Sequence, residues 1–545
     1  MRQLSNPSAA NRLPQLIILG ACLVCFILLA VFAAKHPFGT YATETDFYHL
    51  YAPDALRLKS GQFPLNEFQG PGFPAALAVV SRLTGDLFLA GKWISIISGV
   101  LSLWLAFVLF KRAFGAWAGL GSAFLLMTCI ELPEFSIQAT TDVFFLLLCL
   151  AALAVFTSQY FTPLIRIAIT GFFCGTAYLT RYNALFLVAS VLFALIVLNL
   201  LESTWRKRIE LSAIFLGVFL LTCSPWLIAS YRHYGSPFHN SNYLNMATLL
   251  YPELAGGEVT QDGTRKVQET FHSFGEVISY KPGQAVVRYL SNLWLVLKNC
   301  LDGILIPRWI GWLSLVGLGL ALFRKRSKTT WLLLSCIVVF FGLMGLNHWE
   351  LRYFFFAAAC IAGFASEAIF GLFEYIRDRW GTQLAPLPAL GISLILLTAV
   401  WVPGIAQSGK SFKSFLNTHP NEIPAAAAYV KSLGAAPHSL KIVARKPHLP
   451  YLAEQEWVFF PQVKNLEDLR QWLLKNNSDY VAIGKRELKS RKELSALGDS
   501  KTAPAWLKPV WKYSDPVFIL YRVDVAQSGD SAPNATMSAT GGRQK

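Results

Sequence analysis

Residues 16–54 read LIILGACLVCFILLAVFAAKHPFGTYATETDFYHLYAPD. Residues 16–34 form an uncharged apolar run, and a helix of about 20 such residues crosses a bilayer. The segment that follows sets Glu44, Asp46, His49 and Asp54 among the rings of Phe47, Tyr48 and Tyr51. Arg2 and Arg12 precede the run, and VFAAK at its end resembles a small-residue cleavage site. The run is long for a removable leader, and many more follow. It therefore reads as a retained first span, with residue 35 onward outside.

Comparable runs recur near 91–110, 116–130, 141–157, 164–180, 183–201, 210–230, 309–323, 330–347, 352–371 and 387–404. The expectation is an α-helical polytopic membrane protein of about eleven spans, a count built on the ~20-residue criterion. Composition agrees. The 545 residues are 54% hydrophobic and only 15% charged, against roughly 25% charged in soluble domains. The net charge of +16 sits in short clusters between apolar runs, which fits anchoring at membrane lipid and argues against a nucleic-acid partner. All of the nine cysteines except Cys300 fall in apolar runs, as packing residues rather than a disulfide or zinc framework.

Basic loops set the orientation. Lys111–Arg112, Arg206–Lys207–Arg208, Arg324–Lys325–Arg326 with Lys328, and Arg377 with Arg379 all fall inside with eleven spans. Counting 286–306 as a further span would break that agreement, so it reads as a helix lying on the outer surface. Residues 1–404 are then a membrane domain with outer loops 35–90 and 231–308. An odd count leaves the tail outside. There KIVAR, EWVFFP, DYVAIG and VFILYRV read as strands, and LEDLRQWLLKN as an amphipathic helix. Residues 405–525 form a small extracytoplasmic α/β domain, and the polar residues 526–545 a disordered tail. The predicted location is a prokaryotic inner membrane, with the N-terminus cytoplasmic.

Non-basic polar clusters fall outside: 44–54, ELPEF with TTD (131–142), LTRYN (179–183), 224–243 and NHWELRY (347–353). Span centres carry almost no ionisable residue, whereas ion-coupled transporters place charges near the midplane. An enzyme working at the outer interface fits better. In the first loop, Asp46 and His49 share a helix face, Pro53 suits the first turn of a second segment, and Gly61 suits its end. QGPGFP breaks the chain before AALAVVSRL, which is too short to span and fits a surface helix.

Asp46, Tyr51, Ala55, Leu58, Gly61 and Pro64, followed in order by PGFP, KRAFG, TTDVFFLL, YLTRYNALFL, SPWLIASYRHYGSPF and HWELRYFFF, carry a family resemblance. The chain resembles the GT-C superfamily of integral-membrane glycosyltransferases, of the protein mannosyltransferase and aminoarabinose transferase type, over about residues 16–370. The resemblance implies inverting transfer of a sugar from a polyprenyl-phosphate donor to a lipid, glycan or protein acceptor at the outer face. It implies that Asp46 is the catalytic base or orients the acceptor hydroxyl, with Glu44 and His49 beside it. Arg181, Arg352 and Tyr353 match positions near the donor, and His348 and Glu350 flank them. Asp142 matches an acid that holds a divalent metal ion or the donor; the cofactor is otherwise unspecified. The aminoarabinose type often carries a lysine before a Pro-Pro pair, where this chain reads Gln69-Gly70-Pro71-Gly72. Structural alternatives stand beside these roles. Arg181 and Arg352 also suit headgroup anchors, Asp142 a helix start, and Glu350 pairing with His348 or Arg352. A polysaccharide ligase or polymerase, and a lipid-linked saccharide transporter, are the competing functions.

Overall fold

A computed structural model of the protein describes residues 9–255, 261–323, 327–380 and 386–524. Two compact units are present. One comprises residues 1–39 and 50–418, and the other residues 40–49 and 419–545.

The first unit is a helical bundle of a multi-pass membrane protein. Among the described residues, six helices are long and apolar enough to cross a membrane: Arg12–Ala34, Leu87–Phe114, Pro163–Thr180, Trp205–Tyr234, Leu351–Leu372 and Pro388–Leu416. The five other predicted spans are helical but shorter: Ala116–Leu126, Asp142–Phe156, Tyr182–Ile196, Arg308–Phe323 and Lys328–Met344. Eleven helical residues rise only about 16 Å. The helix Ala116–Leu126, for instance, stops before Thr128, whose hydroxyl donates back to the Leu125 carbonyl at 2.6 Å.

The helix Phe355–Trp380 begins within the Leu351–Leu372 segment, which is 89% buried over its apolar window. Small residues let its neighbours approach it, as they do between helices in lipid. Gly317 sits directly on the Phe364 carbonyl, and Gly121 on Ser366. Ser366 in turn donates to the Ala118 carbonyl at 2.7 Å.

Side-chain contacts define two ends of this bundle. Arg112 donates to Thr157 at 2.8 Å, at the C-terminus of the helix Asp142–Phe156. Arg208 donates to the Ile196 carbonyl at 3.0 Å, at the C-terminus of the helix Leu185–Ile196. Asp142 and Arg181 belong to the opposite, N-terminal ends of those helices. Of the other basic clusters, 324–326 lies outside the described residues, and the side chains of Arg377 and Arg379 are not described.

The helix Pro282–Leu301 covers the run read as a surface helix. Val286, Leu290 and Trp294 leave one apolar face exposed. From the other face Asn292 donates to the carbonyls of Gly345 (2.8 Å) and Asn347 (2.7 Å). The helix Gly72–Thr84 likewise buries Phe73 and Leu77 and exposes Val79 and Leu83. Lys92 donates to the carbonyls of Ala33 and His36, both at 3.0 Å, pinning the chain where it leaves the first helix.

In the second unit a five-stranded sheet has the order β2-β1-β3-β5-β4. The strands are β1 (Lys441–Ala444), β2 (Glu456–Phe459), β3 (Tyr480–Gly484), β4 (Leu507–Tyr513) and β5 (Phe518–Val523). β1 pairs parallel with β2 and β3, whereas β5 pairs antiparallel with β3 and β4. The helix Leu466–Lys475 buries Leu469 and Leu473, as its pattern predicts. β4 escapes sequence reading. It is an edge strand carrying Lys508, Pro509 and Lys512, with a register shift at Pro509/Trp511, and edges are commonly protected this way. The preceding helix Pro386–Leu416 runs through residue 405. Residues 526–545, read as a disordered tail, lie outside the described residues.

Gly317→Val would force its side chain into the Phe364 backbone and should destabilise the bundle by at least ~1–3 kcal/mol. Gly319→Val, with nothing within 4 Å of its Cβ, should be near neutral. Thermal melts of the two variants in one detergent make the comparison; equal melting temperatures would refute the close packing.

Candidate functional site

A chain of charges forms in the first unit from three distant segments. Asp142 opens the helix Asp142–Phe156, where a negative charge suits the positive end of the helix dipole. Its side chain is fully buried and ion-paired with Arg181. Arg181 follows the helix Pro163–Thr180 in extended conformation, and it also donates to the Thr141 hydroxyl at 3.3 Å. On the other side of Asp142, Arg352 Nη1 lies 3.9 Å from Oδ2. Arg352 Nε donates to Glu350 at 2.6 Å, and the other Glu350 oxygen lies 3.2 Å from His348 Nε2. Tyr353 brings these groups together. Arg181 lies 4.5 Å and Arg352 5.1 Å from its ring centre, and the His348 ring packs at 5.7 Å. Cationic guanidinium groups are attracted to the ring face.

Asp142, Arg181, His348, Glu350, Arg352 and Tyr353 therefore share one cluster. Burial pushes the Glu350 carboxyl upward, but the His348 hydrogen bond and the Arg352 guanidinium prevail and hold it at about 2. Glu131 is displaced the other way. Burial raises it, Arg352 opposes this, and Asp142 and Glu350 add like-charge repulsion. Sequence reasoning placed Glu131 outside but gave it no role. Its position is set by the next residue back, where Ile130 N–H donates to the Leu305 carbonyl at 3.1 Å.

Asp142 was a candidate metal ligand. Among the described residues, no group of three or more His, Cys, Asp and Glu side chains could hold a metal ion. The charged partners of Asp142 are the guanidinium groups of Arg181 and Arg352, and the Glu131 carboxylate is near enough to act on it by charge.

Residues 69–72 pack beside Arg181. A Cβ at Gly72 would come within 2.7 Å of Thr180 Oγ1, and Gly70 presses on the Leu179 carbonyl. Gln69 Oε1 is buried without a hydrogen-bond partner among the described residues. Asn292, through the Asn347 carbonyl, anchors the start of the 348–353 segment. Neither feature has a sequence signal beyond a glycine pair and a lone polar residue on an apolar helix.

Glu44, Asp46 and His49 belong to the second unit. Glu44 is buried and accepts the Thr40 N–H at 2.8 Å, so it braces its own loop. His448 Nε2 lies 2.7 Å from the Thr40 carbonyl. The rings of Tyr41 (5.0 Å) and Tyr48 (4.5 Å) pack on His448, and the His49 ring lies 4.7 Å from Trp457. Asp46, half-buried, acts on Lys446 and His49 by charge. The two short helices expected here are joined, because Phe47–Tyr51 forms a wide π-helical turn that runs into the helix Ala52–Lys59. Such a turn accommodates Pro53, which lacks an N–H. Gly61 takes φ +79° just past the helix end.

Residues 69–228 match the family model of dolichyl-phosphate-mannose-protein mannosyltransferases. No curated protein matches the chain in sequence. Among solved structures, an oligosaccharyltransferase of Archaeoglobus fulgidus, crystallised with zinc and sulfate, has a TM-score of 0.56 at 14% identity; the match covers 91% of this chain and 72% of that one. The archaeal oligosaccharyltransferase AglB of the same organism, in complex with an inhibitory peptide and a dolichol-phosphate, scores 0.55 at 13% identity over 94% and 75%. ArnT from Cupriavidus metallidurans, bound to undecaprenyl phosphate, scores 0.54 at 13% identity over 93% and 97%. The chain thus has the fold of the GT-C superfamily of integral-membrane glycosyltransferases, and within it residues 69–228 carry the mannosyltransferase sequence pattern.

Proposed function

We propose that this protein transfers a sugar from a polyprenyl-phosphate-linked donor to an acceptor at the outer face of a prokaryotic inner membrane, with inversion at the anomeric carbon. The buried Arg181–Asp142–Arg352 set on Tyr353 carries this reading. Two structures of the same fold hold a polyprenyl phosphate. When the bond between the anomeric carbon and the phosphate oxygen breaks, negative charge grows on the leaving phosphate. Guanidinium groups fixed in a dry site stabilise that charge without having to reorganise. Asp142 holds Arg181 in place, and Glu350 with His348 does the same for Arg352. The acceptor oxygen attacks the opposite face of the carbon, and its proton passes to the Asp46 carboxylate, the proposed base. The orientation follows from Arg112 and Arg208, which mark the cytoplasmic end of the bundle by the positive-inside tendency. The N-terminus is then cytoplasmic and the second unit extracytoplasmic.

Purified protein supplied with a polyprenyl-phosphate sugar and an envelope lipid extract should release free polyprenyl phosphate. Asp46→Asn should abolish release, with membrane insertion unchanged. Wild-type turnover by that variant removes the base assignment. Movement of intact donor across proteoliposomes without release would point to a transporter instead.

A second expectation concerns pH. The Glu350 pKa lies below the ordinary value of 4.5. Its ionised form therefore contributes stability that is fully present above pH 4.5 and lost as pH falls toward about 2. Arg352→Ala should move that loss to higher pH. The gap between variant and wild-type melting temperatures should be widest above about pH 5 and narrow as pH falls toward about 2; a gap that does not change with pH would exclude the pairing.

A further inference from the structure

The second unit contains a cavity that none of these roles uses. Its volume is about 200 Å3, and all its lining residues belong to this unit. It sits at the C-terminal ends of β1 and β3, which are parallel neighbours, with β2 on the far side of β1. The chain thus leaves β1 toward one edge of the sheet and later returns to the other side as β3. Open α/β sheets hold ligands at such switch points, outside the C-terminal ends of their parallel strands.

The residues at this point carry a dense positive charge. Arg445 and Lys446 follow β1, and Lys485 and Arg486 follow β3. All four line the cavity, with Glu487 and Glu422 as the acids. Glu487 joins the two strand ends. One of its oxygens accepts from Arg445 Nε at 2.6 Å and the other from the Gly484 N–H at 2.9 Å. A Cβ at residue 484 would lie 2.8 Å from that carboxylate, so a larger residue there would displace it.

Glu422 is 95% buried, and its Oε2 has no hydrogen-bond partner among the described residues. Burial raises its pKa, and the nearby Glu487 adds to the rise. A protonated Glu422 is a hydrogen-bond donor suited to an anion's oxygen. Burial and the Arg445 charge hold the Lys446 ammonium down to about 8, although Asp46 opposes them. An anion placed among these cations would relieve their mutual repulsion.

We propose that this cavity binds a phosphate-bearing group, held by Arg445, Lys446, Lys485 and Arg486. Arginine forks and lysine point charges together suit phosphate oxygens. The volume is below the ~300–1,000 Å3 of drug-sized sites, which suits a headgroup-sized anion. That anion is either a soluble phosphate ester or the headgroup of an anionic lipid.

The test uses the full-length protein in nanodiscs. In phosphatidylcholine discs, glycerol 3-phosphate is titrated calorimetrically into the wild type, the Lys485→Gln/Arg486→Gln double variant, Lys446→Gln, and Arg470→Gln as a control outside the cavity. In a second arm, discs with and without phosphatidic acid are compared by the thermal shift of the second unit. Saturable binding by the wild type and the control, weakened at least tenfold in the cavity variants, supports the site. Binding in the first arm identifies a soluble ester, and a shift confined to the second identifies a lipid headgroup. Lys446→Gln gives the same readout should the double variant misfold. Equal responses in the wild type and a folded cavity variant, or no saturable response in either arm, overturn the proposal. Binding is read without turnover, so this result stands apart from the glycosyl-transfer reading.

Discussion

Asp142 buries a full negative charge at the head of an apolar helix, and the first unit is organised around neutralising it. An unpaired carboxylate there would be untenable, and removing one partner of a buried pair typically costs about 3–5 kcal/mol. Compensation comes from Arg181, 39 residues away in sequence, and from Arg352 on a third segment. The ends of three helices must therefore meet for the charges to balance. Tyr353 lies against both guanidinium groups and limits their freedom. The glycines at 70 and 72 let the preceding loop pass close to the end of the Arg181 helix. The geometry is preorganised because any looser arrangement leaves a bare charge in a low-dielectric interior.

The polar segment that follows the first helix has a different kind of support. Residues 40–49 belong with the α/β sheet rather than with the helices on either side of them in the chain. Thr40, Tyr41 and Tyr48 surround His448, and His49 meets Trp457. Asp46 thus receives its electrostatic setting, through Lys446, from residues near the far end of the chain. Glu44, which resembles a catalytic companion in the sequence, is occupied by the backbone of its own loop.

How much of this is legible in the sequence depends on how local each signal is. Apolar runs locate the helices because burial in lipid needs continuous hydrophobicity. Their lengths are less readable, since a helix such as Ala116–Leu126 stops inside its apolar run. The order of TTD, LTRYN and HWELRY points to Asp142, Arg181 and Arg352, but no periodicity says that they touch. Asn292 is an isolated polar residue on an amphipathic helix, so its grip on the 345–347 backbone has no signature. Four strands show alternation or apolar runs, while β4 is masked by the lysines and proline that protect an exposed edge. The affiliation of residues 40–49 is the least legible feature, because it rests on pairings across roughly four hundred residues, as between Thr40 and His448.

That last pairing has a consequence for biogenesis. Synthesis proceeds from the N-terminus, so residues 40–49 are made long before the sheet they pack with. The His448 that fixes them is made 408 residues later. Contacts of such long sequence separation form late, after the loop-closure entropy has been met by other interactions. The Asp46 segment must wait through insertion of the whole bundle, and it acquires its fixed environment only when the last unit folds. A ribosome stalled before β1 would leave the helices in the membrane with the acidic segment still unanchored. In this protein, synthesis of the sheet also completes the surroundings of the first polar loop.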